Sequence, residues 1–258
     1  MHAHFVLAHP EPQSFNAHLV RSGAAALEAD GWTVSVSDLY AMGFDPCERP
    51  DHYADRANAE RFDAQLEQRR ASETGSLPKV VADELKLMDR VDALILQYPM
   101  WCHLPPAMLK GWFDRMLPYG AAYTSKKRFE AGRFAGKRAV LSVTVGTAQA
   151  TYQHDGRSGD IDLMLWPVNF TLAFVGYGVL KPFVAYGVEA GLRYSDAATV
   201  EERLTAIVAD FRATVPRLAE RETVPFNRME EWGPDGRIKP GAPVHSAFVR
   251  RKERLVLE

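Results

Sequence analysis

Short uninterrupted apolar runs alternate along this chain with longer stretches in which apolar residues return every third or fourth position. The first run, Phe5-Val6-Leu7-Ala8, ends at His9-Pro10 and predicts a buried strand leading into a loop. From Asn16 the spacing changes, and Leu19, Val20, Ala24 and Leu27 fall on one stripe of a helix that Gly31 would stop. Trp32 to Val36 predicts a second strand. Pro46 to Ser76 is polar and too long for a plain loop, and Asn58 to Arg70 is expected to be helical within it. A helix over Val80 to Arg90 then precedes Val91 to Gln97, whose continuous apolar character predicts a strand buried on both faces. Pro105-Pro106 opens a helix carrying Met108, Leu109, Trp112, Phe113 and Met116. Arg138 to Val143 reads as a fourth strand, Ile161 to Tyr177 as a helix apolar nearly all round despite Pro167, and Val179 to Tyr186 as a fifth strand. Thr199 with Glu202 fits a capping box ahead of Leu204, Ile207, Val208 and Phe211.

Strands alternating with helices predict a doubly wound α/β fold, because each parallel connection needs a crossover. The expected architecture is a five-stranded parallel sheet with helices on both faces, over residues 1–215. Residues 216–258, rich in Pro and Gly, are expected to extend over the same body or over a partner subunit. In such sheets ligands lie outside the carboxyl ends of the strands, where the strand order reverses. The segments after the first, third and fourth strands are therefore the places to look for chemistry.

Composition narrows the function. The 258 residues carry 31 Lys+Arg against 33 Asp+Glu, a net charge of −2, so nucleic acid is not an expected partner. The one basic run, Arg250 to Arg254, reads as a solvated tail. No stretch reaches the ~18 consecutive apolar residues of a membrane span, and Ile161 to Val175 is broken by Asp162, Pro167 and Asn169. The start has no cationic leader, and the expected location is the cytoplasm. Cys47 and Cys102 form neither a disulfide framework nor a zinc pattern, the histidines are scattered, and no metal is expected.

Each of the three loops has an unusual composition. After the first strand, His9-Pro10-Glu11-Pro12-Gln13-Ser14-Phe15-Asn16 offers a cap at Ser14 or Asn16 and free helix N–H groups that suit a phosphate. Neither G-x-G-x-x-G nor a P-loop is present. After the third strand, Tyr98-Pro99-Met100-Trp101-Cys102-His103-Leu104-Pro105-Pro106 crowds rings and prolines into a turn, as a wall for a flat heterocycle would. Cys102 and His103 are read as neighbours in an extended segment, facing opposite ways, which argues against a nucleophile and base pair. After the fourth strand, Thr144-Val145-Gly146-Thr147-Ala148-Gln149-Ala150-Thr151-Tyr152 is small enough at Gly146 for a ligand to approach the backbone.

Four segments in order, LAHPEPQSFN (Leu7 to Asn16), SDLYAMGFDP (Ser37 to Pro46), LQYPMWCHLPPAMLKGWFDR (Leu96 to Arg115) and LWPVNFTLAFVGYGVLKP (Leu165 to Pro182), resemble the NAD(P)H:quinone oxidoreductase (DT-diaphorase) family, and the tail is similar to bacterial members. The resemblance implies a flavodoxin-like fold, a bound flavin (FAD, with FMN the alternative), NAD(P)H as co-substrate, a quinone or related acceptor and a homodimer with a shared site. It implies that His9, Ser14, Phe15 and Asn16 hold the flavin's diphosphate and ribityl region. Pro99, Met100, Trp101, Cys102 and His103 would line the ring, and Thr144, Val145, Gly146 and Thr147 would face its pyrimidine side. Tyr152, with the backbone at Gly146, would stabilise negative charge on the reduced ring. His103, Phe174 and Tyr123, the last from the partner subunit, would wall the acceptor pocket.

The implied reaction is two-electron hydride transfer in a ping-pong cycle. The alternative is a regulatory or electron-carrying flavoprotein, an ancillary subunit of a membrane transport system. Departures from the family pattern are Ser158 where a His is expected, Ser125 for a second pocket Tyr, and Cys102 and His103 for Trp and Phe. His103 and His154 are the candidates for a compensating charge.

Overall fold

A computed structural model describes residues 1–189, 191–192, 195–246 and 249–251 of the chain. In chain order the elements are β1 (His2–Leu7), α1 (Phe15–Ala29), β2 (Thr33–Asp38), α2 (Ala64–Thr74), α3 (Lys79–Met88), β3 (Ala93–Pro99), α4 (Ala107–Met116), β4 (Arg138–Thr144), α5 (Ile161–Phe174), β5 (Gly178–Val179), β6 (Phe183–Ala185) and α6 (Ala197–Thr214). The strands lie in the order β2-β1-β3-β4-β5, with β6 also paired to β4, and every pairing is parallel. The order reverses between β1 and β3, so the switch point lies where the first and third loops leave the sheet.

The continuous apolar runs follow from burial on both faces. Ala3, Phe5 and Leu7 of β1 and Ala93 and Ile95 of β3 pack under α1 and α6 with Leu19, Leu27 and Phe211. The alternate positions, Val6, Leu94, Leu96, Tyr98, Leu141 and Val143, pack against α3, α4 and α5 through Leu85, Leu109, Trp112 and Leu165. Two close approaches set the packing distances. A Cβ on Gly23 of α1 would lie 2.6 Å from the Phe211 ring of α6, and one on Gly111 of α4 would lie 2.2 Å from the Pro46 carbonyl. Gly111 thus lets the long polar excursion start flush against α4.

Three local expectations need correction. The helix of the polar stretch begins at Ala64 rather than Asn58, because the Asn58 carboxamide accepts the Glu60 and Arg61 N–H groups and closes a local turn. Asp63 is the true cap, accepting from Leu66 N at 3.0 Å. The single strand expected over Val179 to Tyr186 is two short ones. Pro182 has no N–H to offer β4, and the chain steps there from pairing Arg138 and Ala139 to pairing Ser142 through Thr144. β5 and β6, both paired to β4, together fill the fifth place of the sheet. Thr199 is not the N-cap of α6. Asp196 takes that role, accepting both the Thr199 N–H and its hydroxyl at 2.9 Å, so the helix starts earlier.

The described part of the chain after Val215 runs along its own body. Val224 N donates to Val179 O, Met229 N to Glu130, and Arg138 to the Arg221 carbonyl. Among the described residues no helix is long and apolar enough to cross a membrane.

One buried ionic cluster pins the lower half of the sheet to α3 and α4. Glu84 accepts from Ser37 Oγ at 2.9 Å and from Trp112 Nε1 at 3.1 Å, and His4 Nε2 lies 3.5 Å from it. Burial alone would raise the Glu84 carboxyl, but His4, Ser37 and Trp112 together outweigh this and hold it below its ordinary value of 4.5. The stabilisation is therefore complete above that value and is lost as pH falls through the folded one. Thermal unfolding followed from neutral to acid pH is expected to show Tm falling in this window, and Glu84→Gln is expected to flatten part of that fall.

Candidate functional site

The neighbouring strands β1, β3 and β4 deliver their loops to one edge of the sheet, where backbone and side-chain bonds hold them together. Ala8 N donates to Gln97 O at 3.0 Å and Met100 N to Thr144 O at 2.9 Å. The His9 ring meets Trp101 edge-on at 6.2 Å. On the first loop, Ser14 caps α1 by accepting from Ala17 N at 3.2 Å. Phe15 and Asn16 begin the helix, and their N–H groups have no acceptor among the described residues. His9 Nδ1 accepts from Glu11 N at 3.0 Å, an arrangement in which Nε2 is the ring nitrogen left to donate. Such a set of donors at a helix start binds an anion.

The third loop is a tight hairpin. Trp101 and Leu104 exchange N–H to O bonds of 2.9 and 3.0 Å, with Cys102 (φ 49°) and His103 (φ 67°) at the tip. This corrects the extended reading of that pair. The chain must reverse between the end of β3 and the prolines that open α4, and a two-residue turn of left-handed residues does so. Positions of this kind ordinarily take Asn-Gly, and non-glycine residues there cost of order ~1–3 kcal/mol each. The hairpin leaves Trp101 44% and Leu104 62% exposed, a projecting apolar wall.

On the fourth loop, Val145 N donates to Ala185 O, while Gly187 N and Val188 N donate back to Thr147 O and Val145 O. Thr147 and Thr151 hydroxyls meet at 2.8 Å and close the turn. The N–H groups of Gly146, Thr147 and Ala148 find no acceptor among the described residues. A Cβ at Gly146 would meet only Val188 O, at 3.8 Å, so the space beside this backbone is open. A cavity of about 500 Å³ opens here, lined by Gly146, Thr147, Arg157, Tyr186 and Arg203 among others. Tyr152 is half-buried, its ring 6.0 Å from Tyr186. Burial, with Asp162, Tyr152 and Asp160 nearby, pushes the Tyr186 hydroxyl up.

Asn16 and Thr144 stand behind this edge rather than on it. Asn16 is 3% exposed and Thr144 4%, and Asn16 Nδ2 donates to Thr144 Oγ1 at 3.0 Å. Gln97, fully buried, donates to Asn16 Oδ1 at 2.8 Å. Gln97 was missed in the sequence because it reads as the polar end of an apolar strand. The available signal is that the α1-facing positions turn polar together at the carboxyl ends, from Ile95 to Gln97 and from Val140 to Ser142 and Thr144.

Tyr123 and Phe174 pack together at 5.1 Å within one chain, with Phe129 5.4 Å from Phe174. They line a cleft of about 510 Å³ with Leu104, Phe113, Leu117 and Phe170. They form one wall, so a pocket that takes Tyr123 from a given subunit takes Phe174 from the same one. His103 adjoins Leu104 on the hairpin and does not line that cleft.

Residues 1–209 match the family model described as Flavodoxin-like fold. NAD(P)H dehydrogenase [quinone] 1 of Cavia porcellus is 40% identical over 185 residues, 71% of this chain and 67% of the relative. Ribosyldihydronicotinamide dehydrogenase [quinone] of Homo sapiens is 36% identical over 88% of this chain and 96% of its own length. A Klebsiella pneumoniae protein described as a candidate quinone reductase superposes with a TM-score of 0.82 at 28% identity, over 93% of this chain and 94% of that one. The chain belongs to the flavodoxin-like NAD(P)H:quinone oxidoreductase family and is an oxidoreductase of the NAD(P)H dehydrogenase (quinone) type.

Proposed function

We propose that this protein is a flavin-dependent two-electron reductase that oxidises NAD(P)H and reduces quinones or related acceptors. The observation that carries the reading is the set of N–H groups at Gly146, Thr147 and Ala148 that have no acceptor among the described residues, on the same sheet edge as the open first turn of α1 and the Trp101–Leu104 hairpin. The donors fit a flavin at both ends. Phe15 N, Asn16 N and His9 Nε2 suit its phosphates, and the fourth-loop N–H groups suit the carbonyl edge of its ring. When bound, the flavin supplies reversible hydride transfer, accepting from NAD(P)H and giving to the acceptor in alternation, a ping-pong cycle.

The protein's part is to bind, orient and stabilise charge. The hairpin presents Trp101 as a flat apolar surface for the ring, and Pro99 to His103 supply backbone groups along it. The N–H groups at Gly146 and Thr147, with Tyr152, stabilise negative charge that builds on the ring's pyrimidine edge. A groove of about 640 Å³ between α1 and α6, lined by Phe15, His18, Arg21, Val200, Leu204 and Val208, continues from the phosphate loop. It has room for an adenosine, which favours FAD over FMN.

A second copy of the chain completes the acceptor site. On α5, Leu163 is 42% and Phe170 36% exposed, and Phe170 lines the cleft that holds Tyr123 and Phe174. A helix apolar on both faces is accounted for by a partner surface, and the reading is a homodimer in which this wall faces the partner's flavin.

Three outcomes are expected. The purified protein carries a visible flavin spectrum that NADH or NADPH bleaches without air and benzoquinone restores; a bound flavin that neither nucleotide reduces would point instead to a regulatory flavoprotein. Tyr152→Phe keeps its flavin while kcat falls about 10²-fold, measured by stopped-flow and steady-state assay. Phe170→Asp shifts the protein from dimer toward monomer in light scattering and lowers turnover, whereas unchanged mass would remove α5 from the interface.

A further inference from the structure

Gln97, Asn16 and Thr144 form a buried polar chain behind the ledge, contributed by β3, the first turn of α1 and the end of β4. We propose that Gln97 is a positioning residue: it fixes the Asn16 carboxamide so that the Thr144 hydroxyl is left to donate its proton toward a bound flavin. The proposal rests on the flavin reading above.

The argument is one of donor and acceptor accounting. Gln97 Nε2 donates to Asn16 Oδ1 at 2.8 Å, so the Asn16 oxygen is turned toward β3. Asn16 Nδ2 is thereby set against Thr144 Oγ1, to which it donates at 3.0 Å. A hydroxyl has a single proton and two lone pairs. Once Oγ1 accepts from Asn16, its proton is not needed for that contact. The reverse bond, from Thr144 Oγ1 to Asn16 Oδ1, is the longer of the two at 3.3 Å, and the oxygen it reaches already accepts a shorter bond from Gln97. The inward contact of the Thr144 proton is thus the weak one, and a bound acceptor at the ledge that begins at the next residue would compete for it.

Burial makes the arrangement consequential. Gln97 is 0% exposed, and its Oε1, like Ser142 Oγ at the paired position of β4, has no hydrogen-bond partner among the described residues. An apolar side chain at 97 would avoid that uncompensated acceptor, so the carboxamide is a poor choice for stability alone. Its Nε2 bond to Asn16 is what distinguishes it from leucine. Removing it frees the Asn16 amide to reverse, which draws the Thr144 proton inward and turns a lone pair toward the ligand. A donor lost from a ring that gains negative charge on reduction disfavours the reduced form.

The test is a double-mutant cycle read by flavin midpoint potential and by the Kd of apoprotein for FAD, not by turnover. Gln97→Leu and Thr144→Val are each expected to weaken binding of reduced relative to oxidised flavin about 10-fold, a fall of ~30 mV in the two-electron potential. In the Thr144→Val background Gln97→Leu is expected to have no further effect on the potential. Thr144→Ser, which keeps the hydroxyl, should retain the wild-type value. Gln97→Met, closer in length, serves if the leucine variant does not fold. An unchanged potential in the Gln97 variant, or an equal fall with and without the Thr144 hydroxyl, would overturn the inference alone. A wild-type protein that takes up neither FAD nor FMN would overturn the functional reading and the inference with it.

Discussion

The structure depends on one constraint: β1, β3 and β4 are buried on both faces and run parallel. No tight turn can join parallel neighbours, so every connection crosses a face of the sheet as a helix. All three strands must then release their chains at the same edge, with the order reversing between β1 and β3. The site is a consequence of that geometry before any particular side chain is considered. Apolar burial keeps the strands fixed, with Phe5 and Ile95 under α1 and α6 and Leu96 and Leu141 against α3 to α5.

At that edge the chain offers mostly backbone. The first turn of α1 and the Gly146 to Ala148 segment expose N–H groups, and the hairpin after β3 adds an aromatic wall on two left-handed residues. A site made of main-chain donors tolerates many sequences, which is why the hairpin tip can carry Cys102 and His103. The polar side chains at this edge mostly hold the loops in place. Asn16, Gln97 and Thr144 tie the strand ends together. Thr147 and Thr151 brace the fourth loop.

The apolar helix α5 has a double allegiance. Leu165 and Leu172 belong to the core, while Leu163 and Phe170 are exposed and Phe170 lines the cleft of Tyr123 and Phe174. A monomer gains nothing from such a surface, and a two-fold partner would use it both to bury area and to complete a pocket. The proposed homodimer rests on that exposed wall.

Much of this was legible in the sequence by itself. Continuous apolar runs such as VDALILQ are legible because a strand buried on both faces admits no polar alternation, and helix stripes are legible because their period differs. The loops of interest could be located because topology assigns them a place, and long motifs supplied the family. Tertiary structure decided what depends on contacts between distant residues. That Cys102 and His103 form a left-handed tip follows from where β3 and α4 must meet. The fifth strand divides because Pro182 cannot bond to β4. Asn16 and Thr144 lie inward because Gln97, 81 residues from Asn16, supplies the donor that holds them. Local periodicity carries no information about a hydrogen bond whose partners meet only when the sheet is assembled.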